Sequence, residues 1–195
     1  MHPLHTKIFF PECPFIIGLL AGFAILSYTS FCFASEPIRT VTGTVTEVSD
    51  GDTIKVTTPE QTHLHVRLFG IDAPEAEQYD RYTGRVDKPC QPYAKESRVA
   101  LERKILGTQV RVDIIRIRLN KRVIGMIWIS NRNINLEMIQ EGYAEAYVER
   151  LSEPYLSQFV RAEKEAKLAK KGIWSFRDYE RPSDFRKRFK EAEWR

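Results

Sequence analysis

The chain has 195 residues, of which 43% are hydrophobic and 29% are charged. This composition excludes a low-complexity or fibrous chain, and the length favours one domain with a substantial core over two. Lysine and arginine exceed aspartate and glutamate by 30 − 26 = 4, an excess that is compatible with an anionic partner but too small to require one.

The N-terminal region contains an uncharged, apolar stretch at residues 15–33, FIIGLLAGFAILSYTSFCF. Lys7 precedes this stretch and the small residue Ala34 follows it, which is typical of an export signal cleaved after Ala34. The stretch is also close to the length that spans a bilayer, so an uncleaved membrane anchor is the alternative. We therefore expect residues 1–34 to be a signal peptide or an anchor. The protein would then be secreted, periplasmic or held at the membrane.

Cleavage of this segment would leave a single cysteine. Cys13 and Cys32 lie before the cleavage position, and only Cys90 follows it. One cysteine cannot form an intrachain disulfide, so the fold must be stabilised by its core or by bound metal. Cys90 lies in a polar loop without an adjacent histidine, which favours a free thiol or an intermolecular contact over a nucleophile.

Three predicted strands joined by short turns follow the N-terminal segment. The residues of VTGTVTEV at 41–48 alternate as in a strand, and DGD at 50–52 is a hairpin turn signal. TIKVT at 53–57 and HLHVRLFGI at 63–71 supply the second and third strands. Three consecutive strands with short connections predict an antiparallel meander.

A long polar loop at 74–92 separates these strands from a second set of elements. The residue patterns predict helices at 94–106, 134–141 and 152–171, the last with Ser152 as its N-cap, and strands at 110–117 and 123–129. An OB-fold barrel has its elements in the same order: three strands, a helix, two strands and further helices. We therefore predict a mainly β domain at 35–176, a five-stranded OB-fold barrel with three helices.

Residues 177–195 form a basic and aromatic C-terminal tail, which ends in RPSDFRKRFKEAEWR. Its charges and the rings of Phe185, Phe189 and Trp194 could bind a nucleic-acid strand. Chain ends are commonly frayed, and a frayed amphipathic tail is the interpretation that we favour.

In HVRLFGIDAPE, residues 65–75, the alternation of side chains along the strand separates residues that pack in the core from residues that could bind a ligand. Leu64, Val66 and Leu68 share one face of the strand, and Arg67 lies on the opposite face with His63, His65 and Phe69. Arg67 can therefore leave the core while its strand helps to build it. A guanidinium group is always charged, and its planar fork matches two phosphate oxygens.

Two acidic motifs are expected to meet at one end of the meander. Asp52 lies in DGDT at the start of the second strand, and Asp72 follows the end of the third. Two carboxylates without histidine or cysteine suit a hard cation such as Ca²⁺, completed by water and a backbone carbonyl. With Arg67 for the phosphate and Glu75 for a water molecule, this set predicts a phosphodiesterase site. A purely structural ion-pair cluster is the alternative.

Six motifs resemble the staphylococcal nuclease-like family, also called the thermonuclease or micrococcal nuclease family. In chain order they are SDGDTIKV, VRLFGIDAPE, QPYAKESRVAL, KRVIG, NLEMIQEGYAEAY and EKEAKLAKKGIW, which cover about residues 39–176. Several motifs in one order are more specific than any single motif. The resemblance implies a five-stranded OB-fold barrel with three helices and Ca²⁺-dependent cleavage of single-stranded DNA and RNA.

The resemblance also implies a set of metal-binding residues. Asp52, Asp72 and the backbone carbonyl of Ala73 would bind Ca²⁺. The family usually has threonine where Ala73 stands, but a backbone ligand survives this change. Asp50 and Thr53 would support the metal ligands through hydrogen bonds.

Four further residues acquire roles from the resemblance. Glu75 would be the general base or would position the attacking water. Arg67 and Arg122 would bind the scissile phosphate and stabilise its transition state. Tyr147 would lie near the nucleotide. The partners would be single-stranded DNA and RNA, no small-molecule cofactor is expected, and we expect a monomer.

The segment before Arg122 departs from the family pattern. Arg118 stands where the family has aspartate, and Asn120 stands where it has tyrosine. Lys121 could also serve in place of Arg122. Because the replaced residues shape the nucleotide pocket, the alternative function is an OB-fold module that binds nucleic acid with weakened catalysis.

Overall fold

The structure is a computed structural model, and it describes residues 37–79, 82–118 and 122–192. The strands in these ranges are β1 (Arg39–Asp50), β2 (Thr53–Thr57), β3 (His63–Leu68), β4 (Ile71–Asp72), β5 (Gln78–Tyr79), β6 (Val86–Lys88), β7 (Gln109–Ile117), β8 (Val123–Ile129), β9 (Arg132–Asn133) and β10 (Glu145–Ala146). The helices are α1 (Ala94–Ile105), α2 (Ile134–Gln140), α3 (Tyr155–Leu168) and α4 (Pro182–Ala192), and 3₁₀ turns cover Val148–Arg150 and Gly172–Ser175.

Five of the strands form a closed barrel. β3, β2, β1, β7 and β8 pair in that order in antiparallel fashion, and β3 closes the sheet by pairing in parallel with β8. Gly125 of β8 lies opposite Leu68 in this closing pair. A Cβ atom on Gly125 would lie only 2.9 Å from the Val112 side chain, so a larger residue would force the strands apart. The predicted five-stranded OB-fold barrel is confirmed.

The core lies inside the barrel and beneath the helices. Val66 and Leu68 of β3 are buried as the alternation predicts, whereas Arg67 between them is half-buried. The helices contribute further fully buried side chains, including Leu101, Met138 and Phe159. Burying one such side chain contributes about 1.5–3 kcal/mol relative to leaving it in water.

The third predicted strand is interrupted two-thirds of the way along. β3 ends at Leu68, and Phe69, which the alternation placed on the polar face, is buried. Gly70 has a φ of 74°, a left-handed conformation that suits glycine and redirects the chain. The chain then enters β4, where Asp72 pairs with Glu145 of β10. This change of direction brings Asp72 inside the protein.

The last predicted helix is shorter than expected. α3 covers Tyr155–Leu168, and the residue that precedes it is Pro154, so Ser152 is not its N-cap. The remaining predicted helices and strands lie within a few residues of the observed ones. These differences affect the ends of elements and leave their order unchanged.

The prediction of a frayed C-terminal tail is wrong. Residues Pro182–Ala192 form α4, so the described residues contain four α-helices where the sequence predicts three. Phe185 is buried, and its ring lies 4.8 Å from that of Phe189, one helical turn further on. Apolar residues at this spacing give the helix a face that packs against the rest of the protein.

The predicted signal peptide or anchor at residues 1–34 lies outside the described residues. In the ranges that the structure describes, no helix has both the length and the apolar character needed to cross a bilayer.

Candidate active site

Asp52 is held in place by the turn that connects β1 to β2. Its backbone N–H donates to Oδ1 of Asp50 over 3.0 Å, which tightens the turn. Its own carboxylate is buried and accepts two bonds, from Oγ1 of Thr53 at 2.9 Å and from the backbone N–H of Ala73 at 3.0 Å. The bond from Ala73 ties the β1–β2 turn to the segment that carries Asp72.

Arg67 bridges the two buried aspartates. Its Nη1 donates to Asp52 Oδ1 at 2.9 Å, and its Nη2 lies 2.8 Å from Asp52 Oδ2 and 2.5 Å from Asp72 Oδ1. The structure therefore brings Asp52 and Asp72 together around one guanidinium group, at the end of the sheet that the meander predicts. Paired charged groups of this kind form the strongest hydrogen bonds in proteins.

Glu75 lies beside this pair and is bound by two cations. One carboxylate oxygen accepts from Lys88, and the other lies 2.5 Å from Nη1 of Arg186 in α4. Its backbone N–H donates to the side-chain oxygen of Gln91 at 2.8 Å, and the backbone N–H of Gln91 returns a bond to the Glu75 carbonyl at 2.9 Å. The side chain and the backbone of Glu75 are thus both oriented by neighbours.

These groups open on one cleft of about 310 Å³. Its lining residues are Asp50, Arg67, Glu75, Gln78, Asp87, Lys88, Arg122, Arg186 and Phe189. Arg122 donates from Nη2 to Oγ1 of Thr53 at 2.8 Å, and Thr53 in turn donates to Asp52. The structure therefore places both predicted arginines and the predicted base, Glu75, around the same space.

Comparisons with known proteins identify the family of the chain. Residues 65–176 match the family described as "Staphylococcal nuclease homologue". The chain belongs to the staphylococcal nuclease family. The matched segment begins within β3 and includes Arg67, Asp72 and Glu75.

Curated relatives of this family member include fungal and bacterial proteins. The probable endonuclease lcl3 of Sclerotinia sclerotiorum is 30% identical over 182 residues, which is 77% of this chain and 66% of that protein. The probable endonuclease LCL3 of Komagataella phaffii is 30% identical over 134 residues, 65% of this chain and 56% of that protein. The thermonuclease of Staphylococcus hyicus is 29% identical over 170 residues, 82% of this chain and 95% of that protein. The chain thus spans only about two thirds or less of these two fungal relatives.

Tyr147 does not line the main cleft of this family member. It lines a smaller cavity of about 50 Å³ on the other side of Arg67, together with Arg118 and the segment around Gly70. The backbone N–H of Tyr147 donates to the Gly70 carbonyl at 2.9 Å. Asn120 and Lys121 lie outside the described residues. Arg67 lines both spaces, so Tyr147 lies next to the cleft without lining it.

Sequence reasoning missed two cations that contact the site. Lys88 binds Glu75 from β6, and Arg186 binds both oxygens of Asp72, at 2.9 and 2.8 Å, from α4. The basic residues of the tail were visible, but no local pattern connects position 186 with position 72. Only the packing of α4 brings them together.

Burial and charge set the protonation of the site in opposite ways. Burial raises the pKa of Asp52, and Arg67 offsets only part of this effect. Burial also raises the pKa of Asp72, where Arg186 and Arg67 together offset only part of it. Burial acts in the same direction on Glu75, but hydrogen bonds from Lys88 and Arg186 outweigh it and lower the pKa of Glu75. Glu75 is therefore a carboxylate at neutral pH, whereas the two aspartates require positive charge beside them.

The donor atoms at the two aspartates fit a hard divalent cation. Both carboxylates are buried, and the backbone of Ala73 lies against Asp52. Oxygen donors of this kind are those that Ca²⁺ prefers. Among the described residues, no group of three or more histidine, cysteine, aspartate or glutamate side chains could hold a metal ion. A bound cation would therefore need a backbone carbonyl and water in addition to Asp52 and Asp72.

Proposed function

We propose that this protein is a Ca²⁺-dependent nuclease that hydrolyses phosphodiester bonds in single-stranded or frayed DNA and RNA. The observation that supports this most is the position of Arg67, which joins the buried pair Asp52 and Asp72 and lines the same cleft as Glu75 and Arg122. Three groups therefore lie close together. They are the arginines that can bind an anion, the ionised base Glu75, and the carboxylate oxygens that can bind a hard cation. Together these three elements can support hydrolysis of a phosphate diester.

The two arginines bind the scissile phosphate in this mechanism. Arg67 and Arg122 approach the cleft from β3 and from the start of β8, and each can donate from a planar fork to non-bridging oxygens. Calcium, when bound by Asp52, Asp72 and the carbonyl of Ala73, would supply further positive charge next to the phosphate. The same groups stabilise the extra negative charge that develops as the phosphorus becomes five-coordinate.

Glu75 serves the attacking water. Its lowered pKa keeps it ionised, and each carboxylate oxygen has a lone pair beyond the one that Lys88 or Arg186 uses. Water forms the new O–P bond as the bond to the 5′ oxygen breaks, the water proton passes to Glu75, and the departing 5′ oxygen takes a proton from solvent water. The products would end in a 3′-phosphate and a 5′-hydroxyl. Because the contacts are to the backbone of the strand, cleavage should have little sequence specificity.

A nucleic-acid-binding module with weakened catalysis is the second candidate. It is favoured by the pairing of both Glu75 oxygens with cations, Lys88 on one and Arg186 on the other. If these pairs persist when a strand is bound, water would compete poorly for the carboxylate. Such a protein would bind single strands in a salt-dependent way and would not cleave them.

We also propose that residues 1–34 direct the protein out of the cytoplasm, as a cleaved signal or as an anchor at 15–33. Fractionation of cells together with the mass of the mature chain tests this location. A mature chain that begins after Ala34 supports a secreted or periplasmic enzyme. A full-length chain in the membrane fraction supports the anchor.

Digestion of heat-denatured DNA by the purified protein tests the activity. We expect cleavage with Ca²⁺ and none with a chelator, and Glu75→Gln should lower kcat by about 10²- to 10⁴-fold through loss of the base. Arg122→Gln should lower kcat by about 10²- to 10³-fold through loss of charge stabilisation. Glu165→Gln, on the exposed face of α3, is the matched control and should retain full activity. Binding without cleavage under any divalent cation would support the second candidate instead.

A further inference from the structure

Helix α4 reaches the candidate active site from outside the segment that matches the family. The matched region ends at residue 176, and α4 begins at Pro182. Two of its side chains, Arg186 and Phe189, nevertheless line the same cleft as Arg67 and Glu75. What α4 adds to the cleft is therefore a feature of this chain beyond the matched domain.

Contacts on both sides hold α4 at this position. Arg181, just before the helix, donates from Nε to the buried Glu145 at 3.0 Å. The Gln91 side chain, which also binds the backbone of Glu75, donates to the Glu180 carbonyl at 3.2 Å. Phe185 is buried on the inner face of the helix. The helix is thus a fixed wall of the cleft.

Arg186 has donors left for a ligand. Its Nη1 and Nη2 bind Asp72, and Nη1 also binds Glu75, which uses three of its five N–H groups. Among the described residues, no contact uses its Nε–H or the second hydrogen of Nη2. The side chain is 30% exposed and faces the cleft. It can therefore donate to an anion while the carboxylates keep it oriented.

The cleft combines basic side chains with an aromatic ring. Four basic residues line it, Arg67, Lys88, Arg122 and Arg186, against three acidic ones. The two buried aspartates bring the acidic total to five, so a phosphate would be bound by the remaining donor hydrogens of Arg186 and not by an excess of positive charge. Phe189 adds an aromatic ring next to Arg186, and aromatic rings are the usual stacking surfaces for unpaired bases. A positively charged side chain can bind the phosphate of a nucleotide, and a neighbouring aromatic ring can stack on its base.

We propose that α4 forms a substrate-binding wall of the cleft, in which Arg186 binds a backbone phosphate and Phe189 stacks on a base of a single strand. This inference rests on the proposed function, because it takes nucleic acid as the ligand. The C-terminal helix would then contribute to the affinity for single-stranded nucleic acid, in addition to the domain that matches the family. Double-stranded substrate would lose the stacking contact, since its bases are paired and stacked on one another.

The test is the binding of fluorescein-labelled oligothymidylate to the full-length protein, measured by anisotropy with a chelator present so that no cleavage occurs. Arg186→Gln should weaken binding about tenfold and reduce the slope of log K against log salt by about 0.7, the value for one lost phosphate contact on a single strand. Phe189→Leu should weaken binding about tenfold. Lys187→Gln is the matched control, because Lys187 lies on the same helix, is 72% exposed and pairs with Asp184. It should bind within about twofold of the unmodified protein.

A second probe keeps the test valid if a variant fails to fold. An abasic oligonucleotide of the same length should bind the unmodified protein about tenfold more weakly than oligothymidylate, because it cannot stack. Equal binding of the two probes overturns the role of Phe189. Variants at 186 and 189 that bind as Lys187→Gln does overturn the whole wall. Tighter binding by Arg186→Gln would show that α4 covers the cleft and does not contribute to it.

Failure of this inference can be told apart from failure of the proposed function. Cleavage of denatured DNA by the unmodified protein, with unchanged binding in both variants, contradicts the α4 wall alone. Absence of cleavage, with binding that depends on Arg186 and Phe189, contradicts the nuclease and supports the wall.

Discussion

Nη2 of Arg67 lies 2.5 Å from Oδ1 of Asp72, and this contact joins a fully buried carboxylate to a side chain that is 24% exposed. The pair connects the interior of the protein to the cleft. Asp72 keeps its position because both of its oxygens are also bound by Arg186. We therefore expect stability and activity to depend on the same carboxylate.

Replacement of this carboxylate should destabilise the fold. Asp72→Asn removes one of the two charged partners of Arg67 and of Arg186, and we expect the free energy of unfolding to fall by about 3 kcal/mol, as when a buried pair is broken. Urea denaturation measures this change. Asp184→Asn is the control, because Asp184 is 53% exposed and pairs only with Lys187, and its effect should be about 0.5 kcal/mol or less. Equal effects of the two substitutions would contradict a structural role for the buried pair.

Calcium should raise the stability of the unmodified protein. Binding to the folded state alone adds about 2.7 kcal/mol at a hundredfold excess over Kd, which appears as a higher Tm. Asp52→Asn should abolish the shift, because it removes one of two buried carboxylate ligands. Asp87→Asn, an exposed acid at the edge of the cleft, should retain the shift. A shift that survives in Asp52→Asn would place the cation elsewhere.

Gln91 should act as a positioning residue for Glu75. Gln91→Leu leaves the Glu75 N–H without its acceptor, and a buried unsatisfied donor costs about 1–3 kcal/mol. We expect kcat to fall with little change in KM, because the base moves while the phosphate contacts remain. Steady-state kinetics on denatured DNA checks this, with the exposed Gln140→Leu as control. A rise in KM alone would assign Gln91 to substrate binding.

Glu137 should make stability depend on pH in the acid range. Hydrogen bonds from Arg132 at 2.7 and 2.6 Å lower the pKa of Glu137 below its ordinary 4.5, with burial opposing them and Lys104 adding to them. A carboxyl group with a lower pKa in the folded state stabilises the fold above its ordinary pKa. This contribution is lost as the pH falls through the lowered value.

The difference in unfolding free energy between the unmodified protein and Glu137→Gln should follow this course. We expect the difference to be full at neutral pH and to vanish in strong acid. Denaturation curves at a series of pH values measure it, and Glu165→Gln should show a much smaller difference at neutral pH. A difference that stays constant with pH would mean that the contacts of Glu137 do not depend on its charge.

The parts of the site that could be predicted from sequence depend on local geometry. Side chains alternate along a strand, so the outward position of Arg67 was predictable. A short hairpin keeps its ends together, so the meeting of Asp52 with Asp72 was predictable as well. Phe69 was placed on the wrong face, because the alternation continues only while the strand does and Gly70 ends it. Arg186 lies 114 residues from its partner, and no periodic pattern carries information over that distance.

The match to the family model ends at residue 176, but the ion pairs of the interior are completed by residues beyond it. Arg181 pairs with Glu145 and Arg186 with Asp72, and both carboxylates are buried. A recombinant fragment that ends at residue 176 would retain the whole matched sequence. In this fragment Glu145 would lose Arg181 and Asp72 would lose Arg186, while both carboxylates would remain buried. Such a fragment should unfold more easily at neutral pH than in mild acid, where protonation replaces the missing arginines.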